Sequence, residues 1–179
     1  MASAVLVIDV QQELCEGPDA PWAIDRTIAN INAVTARARA AGVPVVLIHH
    51  EGQDGYLTHG SPGWAHERRL VVAPADLRLR KTATDSFHRT ELEALLRARG
   101  VTELVICGIH TEFCVDTTTR RALALGFPVT LVADGHSSAG HPGLSGEGTV
   151  QHHNHVLANI SSFGPRAVPV PAARVAFPG

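Results

Sequence analysis

Lysine is almost absent: Lys+Arg totals 15, and Lys81 is the one lysine among them, which leaves 14 arginines. No Lys/Arg cluster is longer than a pair and the formal net charge is −2, which argues against nucleic acid or an anionic membrane as a partner. No apolar run approaches the ~18 residues that a membrane-spanning helix needs. The N-terminal MASAVLVIDV has no basic stretch ahead of its apolar residues, and it reads as a strand rather than a signal peptide. Cysteine is scarce too. Cys15, Cys107 and Cys114 form neither an even framework nor a CxxC pair, so free thiols in a reducing, cytoplasmic setting are expected. No GxGxxG follows the first strand, so a dinucleotide-binding reading fails at its fingerprint. What remains is 179 residues, 45% hydrophobic and 18% charged, the make-up of one globular domain over residues 1–179 with a small molecule as its partner.

The hydrophobic pattern alternates strand with helix. VLVIDV (5–10) is a continuous apolar run ending near an aspartate, as in a strand covered on both faces. Ile24, Ile28, Ile31, Val34 and Ala38 recur at helical spacing up to Gly42, and PVVLIH (44–49) is the next strand. A polar, glycine-rich loop follows, Glu51 to Glu67, and is expected to decide substrate and to lie near a subunit contact. In DLRLRK, Leu77, Leu79 and Lys81 alternate with Arg78 and Arg80, which predicts an edge strand with Lys81 facing inward. Thr90 with Glu93 predicts a capping box ahead of ELEALLRARG. ELVIC (103–107) and PVTLVA (128–133, followed by Asp134) are strands, and CVDTTTRRALALG is a helix with Cys114 in its first turn. GTVQHHNHVLANI is a last helix and RAVPVP a further edge strand. The whole predicts an α/β fold: three layers, α/β/α, around a doubly wound parallel sheet. In such folds ligands bind beyond the C-terminal strand ends, where Asp9, Lys81 and Cys114 all fall.

A cysteine at a helix start has its thiolate favoured by free N–H groups and the helix dipole, and a nearby ammonium adds to this. Cys114 is therefore a candidate nucleophile, although a free cysteine is also commonly a small buried apolar residue. Cys107, inside LVIC, takes that second reading, and Cys15 reads as an exposed or half-buried loop thiol. Asp9 by itself reads equally as a turn former, and Lys81 as a strand-end residue reaching for water. Together the three supply a carboxylate to move the thiol proton, a cation to hold charge and a nucleophile. Arginine is a poor substitute for such a lysine, because its fork is bulkier and does not release a proton.

VLVIDVQQEL, RKTATDSFHRTEL and LVICGIHTEFCVDTTTRRALALGFPVTLVADGHSS resemble the isochorismatase-like cysteine hydrolases, a group that includes nicotinamidases and other small-amide hydrolases. The resemblance runs from Val5 to about Ile160, and its most specific part is the strand-GxxTxxCV-helix segment at Gly108, Thr111, Cys114 and Val115. It implies a six-stranded parallel sheet and an Asp9, Lys81, Cys114 triad. It also implies a cis peptide between Ile109 and His110, and an oxyanion hole from the backbone N–H groups of His110 and Cys114. Isochorismatases proper in this fold lack the cysteine and cleave a vinyl ether, so Cys114 favours covalent hydrolysis of a C–N bond. Such hydrolases commonly form homodimers or homotetramers, which is the expectation here.

The sequence departs from the nicotinamidases where their metal site begins with Asp-x-His after the second strand; here that place reads IHHEGQ. His49, His50, Glu51, His59 and His66 match no standard zinc spacing and read as solvated loop residues, so no catalytic metal and no cofactor are expected. His152, His153 and His155 are expected on a helix surface or at a subunit contact. Leu14, Trp22, Trp64, Phe87 and His110 are the candidate pocket residues. Two other readings use the same fold: a thiol redox or sensor protein, and a non-catalytic oligomeric binding protein.

Overall fold

Every residue of Ser3–Ile8 is buried, and this run forms β1. The computed structural model describes residues 2–53 and 55–177. After β1 come α1 (Gln12–Cys15), α2 (Ile24–Ala40), β2 (Val45–His50), β3 (Leu77–Lys81), α3 (Leu92–Ala98) and β4 (Glu103–Ile109). A π-helical turn, Thr111–Val115, leads into α4 (Asp116–Ala124) and then β5 (Val129–Ser137). A small hairpin of β6 (Gly140–His141) and β7 (Leu144–Ser145) precedes α5 (Gly146–Asn159), β8 (Ala167–Val170) and a 3-10 turn (Ala172–Arg174). Among the described residues no helix is long and apolar enough to cross a membrane.

Six strands make one sheet in the order β3-β2-β1-β4-β5-β8, parallel throughout. The two segments read as edge strands, LRLRK and AVPV, are its edges. Alternation along β1 divides the interior in two, because successive strand residues face opposite sides. Ala4, Leu6 and Ile8 meet Leu92 and Leu96 of α3, Ala122 and Leu123 of α4 and Leu157 of α5, whereas Val5 and Val7 meet Ile28, Ile31, Val34 and Ala38 of α2. The sheet order reverses between β1 and β4, and the crevice of a doubly wound sheet lies beyond the C-terminal ends of those strands.

Several boundaries differ from the sequence pattern. β1 stops at Ile8 rather than Val10, because Asp9 adopts a left-handed φ of +53° and turns the chain, with Gln11 N donating to Asp9 O at 2.8 Å. The expected capping box does not form. Thr90 Oγ1 donates instead to Ser86 O at 2.7 Å, and Glu93 pairs along the helix with Arg97 at 3.5 Å. β5 runs past Asp134 to Ser137 and so carries His136 into the interior. Gly108 has φ +127°, and a Cβ there would lie 2.1 Å from Ile8 O, so only glycine lets β4 pass β1 at this level.

Candidate active site

Three elements bring Asp9, Lys81 and Cys114 together. Asp9 leaves β1, Lys81 is the last residue of β3, and Cys114 sits in the π-helical turn that follows β4. Lys81 Nζ donates to Asp9 Oδ2 at 2.7 Å and lies 3.2 Å from Cys114 Sγ. Both charged side chains are sealed from water, Lys81 at 0% and Asp9 at 1% exposure. A buried lysine needs every N–H satisfied. Nζ also reaches Ala83 O at 3.0 Å and His50 Nδ1 at 3.1 Å. The other carboxylate oxygen, Asp9 Oδ1, is buried without a partner.

Burial, then the Asp9 carboxylate, push the Cys114 thiol up to about 12, with Lys81 pulling the other way. The helix start and the nearby ammonium were expected to favour the thiolate; here the segment is a π turn, and burial and the carboxylate beside the sulfur outweigh the ammonium. Cys15 is also corrected, being 2% exposed at the end of α1 rather than in an open loop. Cys15 and Cys107 lie in the core on the α2 face, and Cys114 in the core on the other face, so neither thiol is placed to resolve Cys114.

The peptide between Ile109 and His110 is cis. The π turn behind it is pinned from below by a network absent from the sequence reading. Buried His136 meets Thr111 Oγ1 through Nδ1 at 2.8 Å and Asn154 Oδ1 through Nε2 at 3.1 Å, and Asn154 Nδ2 donates to Ala133 O at 2.9 Å. Because the Asn154 amide nitrogen is committed to that carbonyl, its oxygen accepts from His136 Nε2–H, and His136 Nδ1 accepts from Thr111. Burial pushes His136 down to about 4, which keeps it neutral for this role.

A cleft of about 460 Å³ is lined by Leu14, Tyr56, His110 and Phe113, together with Glu13, Glu16, Asp19 and Glu112, and its His110 adjoins the π-helical turn that holds Cys114. Of the candidate pocket residues, Leu14 and His110 line this cleft. Trp22, Trp64 and Phe87 do not line it. Phe87 faces Phe127 in the core, at 6.3 Å between ring centroids. Trp64 stacks on His49 at 4.5 Å, and Trp22 lies under the Arg26 guanidinium. Phe87 is buried in the core, whereas Trp22 and Trp64 are half-buried beside other surface depressions. His49 is corrected as well: it is buried between Trp64 and His66, and burial pushes it down to about 3. His152 and His155 are exposed on α5, and His153 is half-buried there.

Among the described residues, one group of three metal-capable donors lies within 4.8 Å: Asp9, His50 and Cys114. All three surround the Lys81 ammonium. A metal ion would have to share that space with a positive charge, so the donor set suits the ammonium and not a metal.

Residues 3–166 match the model of the isochorismatase domain family. The chain belongs to the isochorismatase family. A streptothricin hydrolase of Streptomyces noursei is 40% identical over 136 residues, covering 75% of this chain and 49% of the relative. The chain thus spans about half the length of that relative. A ureidoacrylate amidohydrolase of Caulobacter vibrioides is 30% identical over 176 residues, covering 77% of this chain and 78% of the relative. A solved structure described as an isochorismatase family protein superposes with TM-score 0.86 at 29% identity, covering 94% of this chain and 97% of that one.

Proposed function

We propose that the chain hydrolyses a C–N bond of a small amide or cyclic amide through an acyl-thioester on Cys114. The observation that carries this reading is the single ammonium of Lys81, in contact with both Asp9 Oδ2 and Cys114 Sγ inside a sealed site. Asp9 is the base and Cys114 the nucleophile. As sulfur attacks the carbonyl carbon, the thiol proton passes to Asp9, whose Oδ1 has no other partner. Lys81 holds the negative charge that moves from carboxylate to sulfur. The backbone N–H groups of His110 and Cys114 are assigned to the carbonyl oxygen, which becomes an oxyanion. Asp9 then protonates the leaving nitrogen, the C–N bond breaks and the thioester remains. Water attacks the thioester as Asp9 takes its proton; the C–S bond breaks, the acid departs and the thiol regains its proton.

The cleft indicates which amides fit. Glu13, Glu16, Asp19 and Glu112 line it, with no lysine or arginine among the lining residues, so a neutral or cationic amide is favoured over one bearing a carboxylate. Streptothricin, named for the 40% identical relative, heads the panel to be tested.

The test is turnover of streptothricin and of a panel of charged and neutral amides and lactams, with acid-quenched protein analysed by mass spectrometry. Release of amine, with the acyl mass on the Cys114 peptide, is expected, and Cys114→Ala abolishes both. Hydrolysis that persists in that variant overturns the covalent mechanism. A disulfide or sulfenic acid on Cys114, with no turnover of any amide, would favour the thiol-redox reading instead.

A further inference from the structure

Lys81 cannot reach Asp9 directly along the sheet. β2 lies between β3 and β1, and neighbouring strands are about 4.8 Å apart, so the lysine side chain must pass over the end of β2 to reach a residue two strands away. The residue at that end is His50, in register with Lys81, and its Nδ1 is 3.1 Å from Nζ.

The ammonium has more neighbours than protons. Asp9 Oδ2, Ala83 O, His50 Nδ1 and Cys114 Sγ all lie within 3.2 Å of a group with three N–H donors. While sulfur keeps its proton it is the poorest of the four acceptors, and the three donors are taken by Asp9, Ala83 and His50. Once Asp9 has accepted the thiol proton, the order changes: the carboxyl is neutral and the thiolate is the strongest acceptor. One N–H must then move from Asp9 to sulfur while the other two keep Nζ in place.

We propose that His50 is a positioning residue, one of two fixed supports, with Ala83 O, on which the Lys81 ammonium turns from Asp9 toward the Cys114 thiolate. The proposal rests on the amidohydrolase reading above, and extends it by one residue. His50 serves only with Nδ1 unprotonated. Burial and Lys81 hold its imidazole below the ordinary histidine range against the opposing pull of Asp9. Its backbone is fixed on both sides by fully buried Gln11: His50 N donates to Gln11 Oε1 at 2.8 Å, and Gln11 Nε2 donates to His50 O at 3.0 Å. The same Gln11 amide donates to Trp64 O at 3.0 Å, which ties the substrate loop to this clamp.

The test follows acylation of Cys114 by p-nitrophenyl acetate, read as nitrophenolate release and as acetyl mass on the Cys114 peptide, in the full chain. In His50→Leu the maximal acylation rate is expected to fall by about 10- to 150-fold, the worth of one hydrogen bond to a charged group. The half-saturating ester concentration is expected to stay within about threefold, because His50 acts through Lys81 and not on the ester. His50→Asn, whose amide oxygen can accept from Nζ, is expected to recover most of the rate. A leucine variant as fast as the unaltered protein, or an asparagine variant as slow as leucine, overturns the proposal. If the leucine variant does not fold, His50→Ala with added imidazole decides: recovery of the rate supports the role, and no recovery overturns it. Failure of the unaltered protein to acylate at Cys114 would instead sink the underlying amidohydrolase reading.

Discussion

The Lys81 ammonium and the Asp9 carboxylate meet at 2.7 Å with neither side chain open to water, and the thiol of the proposed nucleophile touches the same ammonium. Breaking a buried pair by removing one member leaves an uncompensated charge, which typically costs 3–5 kcal/mol. Lys81→Met should therefore lose both stability and turnover, seen as a lower urea midpoint and a loss of hydrolysis of at least about 100-fold. Lys81→Arg should be nearly as inactive, because a guanidinium is too wide for a space shaped by four close contacts around one nitrogen. An arginine variant with most of its activity would mean that only charge matters at this position.

Stability should decline in mild acid. His49 is pushed down to about 3 and His136 to about 4 by burial, while in the unfolded chain both titrate near 6.5. Below pH 6.5 the unfolded state binds protons that the folded state refuses, so the stability present above that pH is lost as pH falls toward the folded values. By pH 5 the loss is on the order of 2 kcal/mol for each histidine. Urea unfolding at pH 7.5 and pH 5 checks this, and His49→Gln should flatten the dependence. Equal midpoints at the two pH values would show that the two rings open to solvent in the native state.

Much of this frame can be read in the chain because the signals are local. Continuous apolar runs gave the inner strands, and the alternation of LRLRK gave both the edge position of β3 and the inward parity of Lys81. The GxxTxxCV segment pointed to the family and to the cysteine. What stayed hidden depends on register and on competition between neighbours. Nothing in IHHEGQ tells which histidine faces Lys81; that follows from the pairing of His50 with Lys81 across β2 and β3. His136 and Gln11 carry no spacing signal, since each acts through partners from 18 to 53 residues away. The misplaced aromatics show the same limit, because composition does not say whether a ring covers the core or the cleft.

Gly108→Ala should be among the most damaging single changes in the protein. A methyl group would sit 2.1 Å from Ile8 O and 2.6 Å from Ile8 N, on a backbone with φ +127°, so both space and conformation oppose it. Neither contact is the far end of a flexible side chain that could yield. Loss of soluble folded protein, or destabilisation beyond about 4 kcal/mol, is expected. A variant that melts within a few degrees of the unaltered protein would show that β4 can move away from β1, contrary to the register between Ile8 and Gly108.

Metal removal offers a sharper division. Asp9, His50 and Cys114 have the ligand types and the closeness of a metal site. The Lys81 ammonium already lies within 3.2 Å of all three donors. A divalent cation entering there must displace or deprotonate the lysine and must also take the proton from a thiol that burial holds at about 12. Both steps cost energy that a site built for metal would not demand. Hydrolysis should therefore survive exhaustive dialysis against a strong chelator, and added zinc should inhibit by competing for Cys114. Loss of activity on chelation, restored by zinc or manganese, would mean that Lys81 leaves the donor set in the working enzyme. In that event Lys81→Met should gain metal affinity, which elemental analysis of the purified variant would detect.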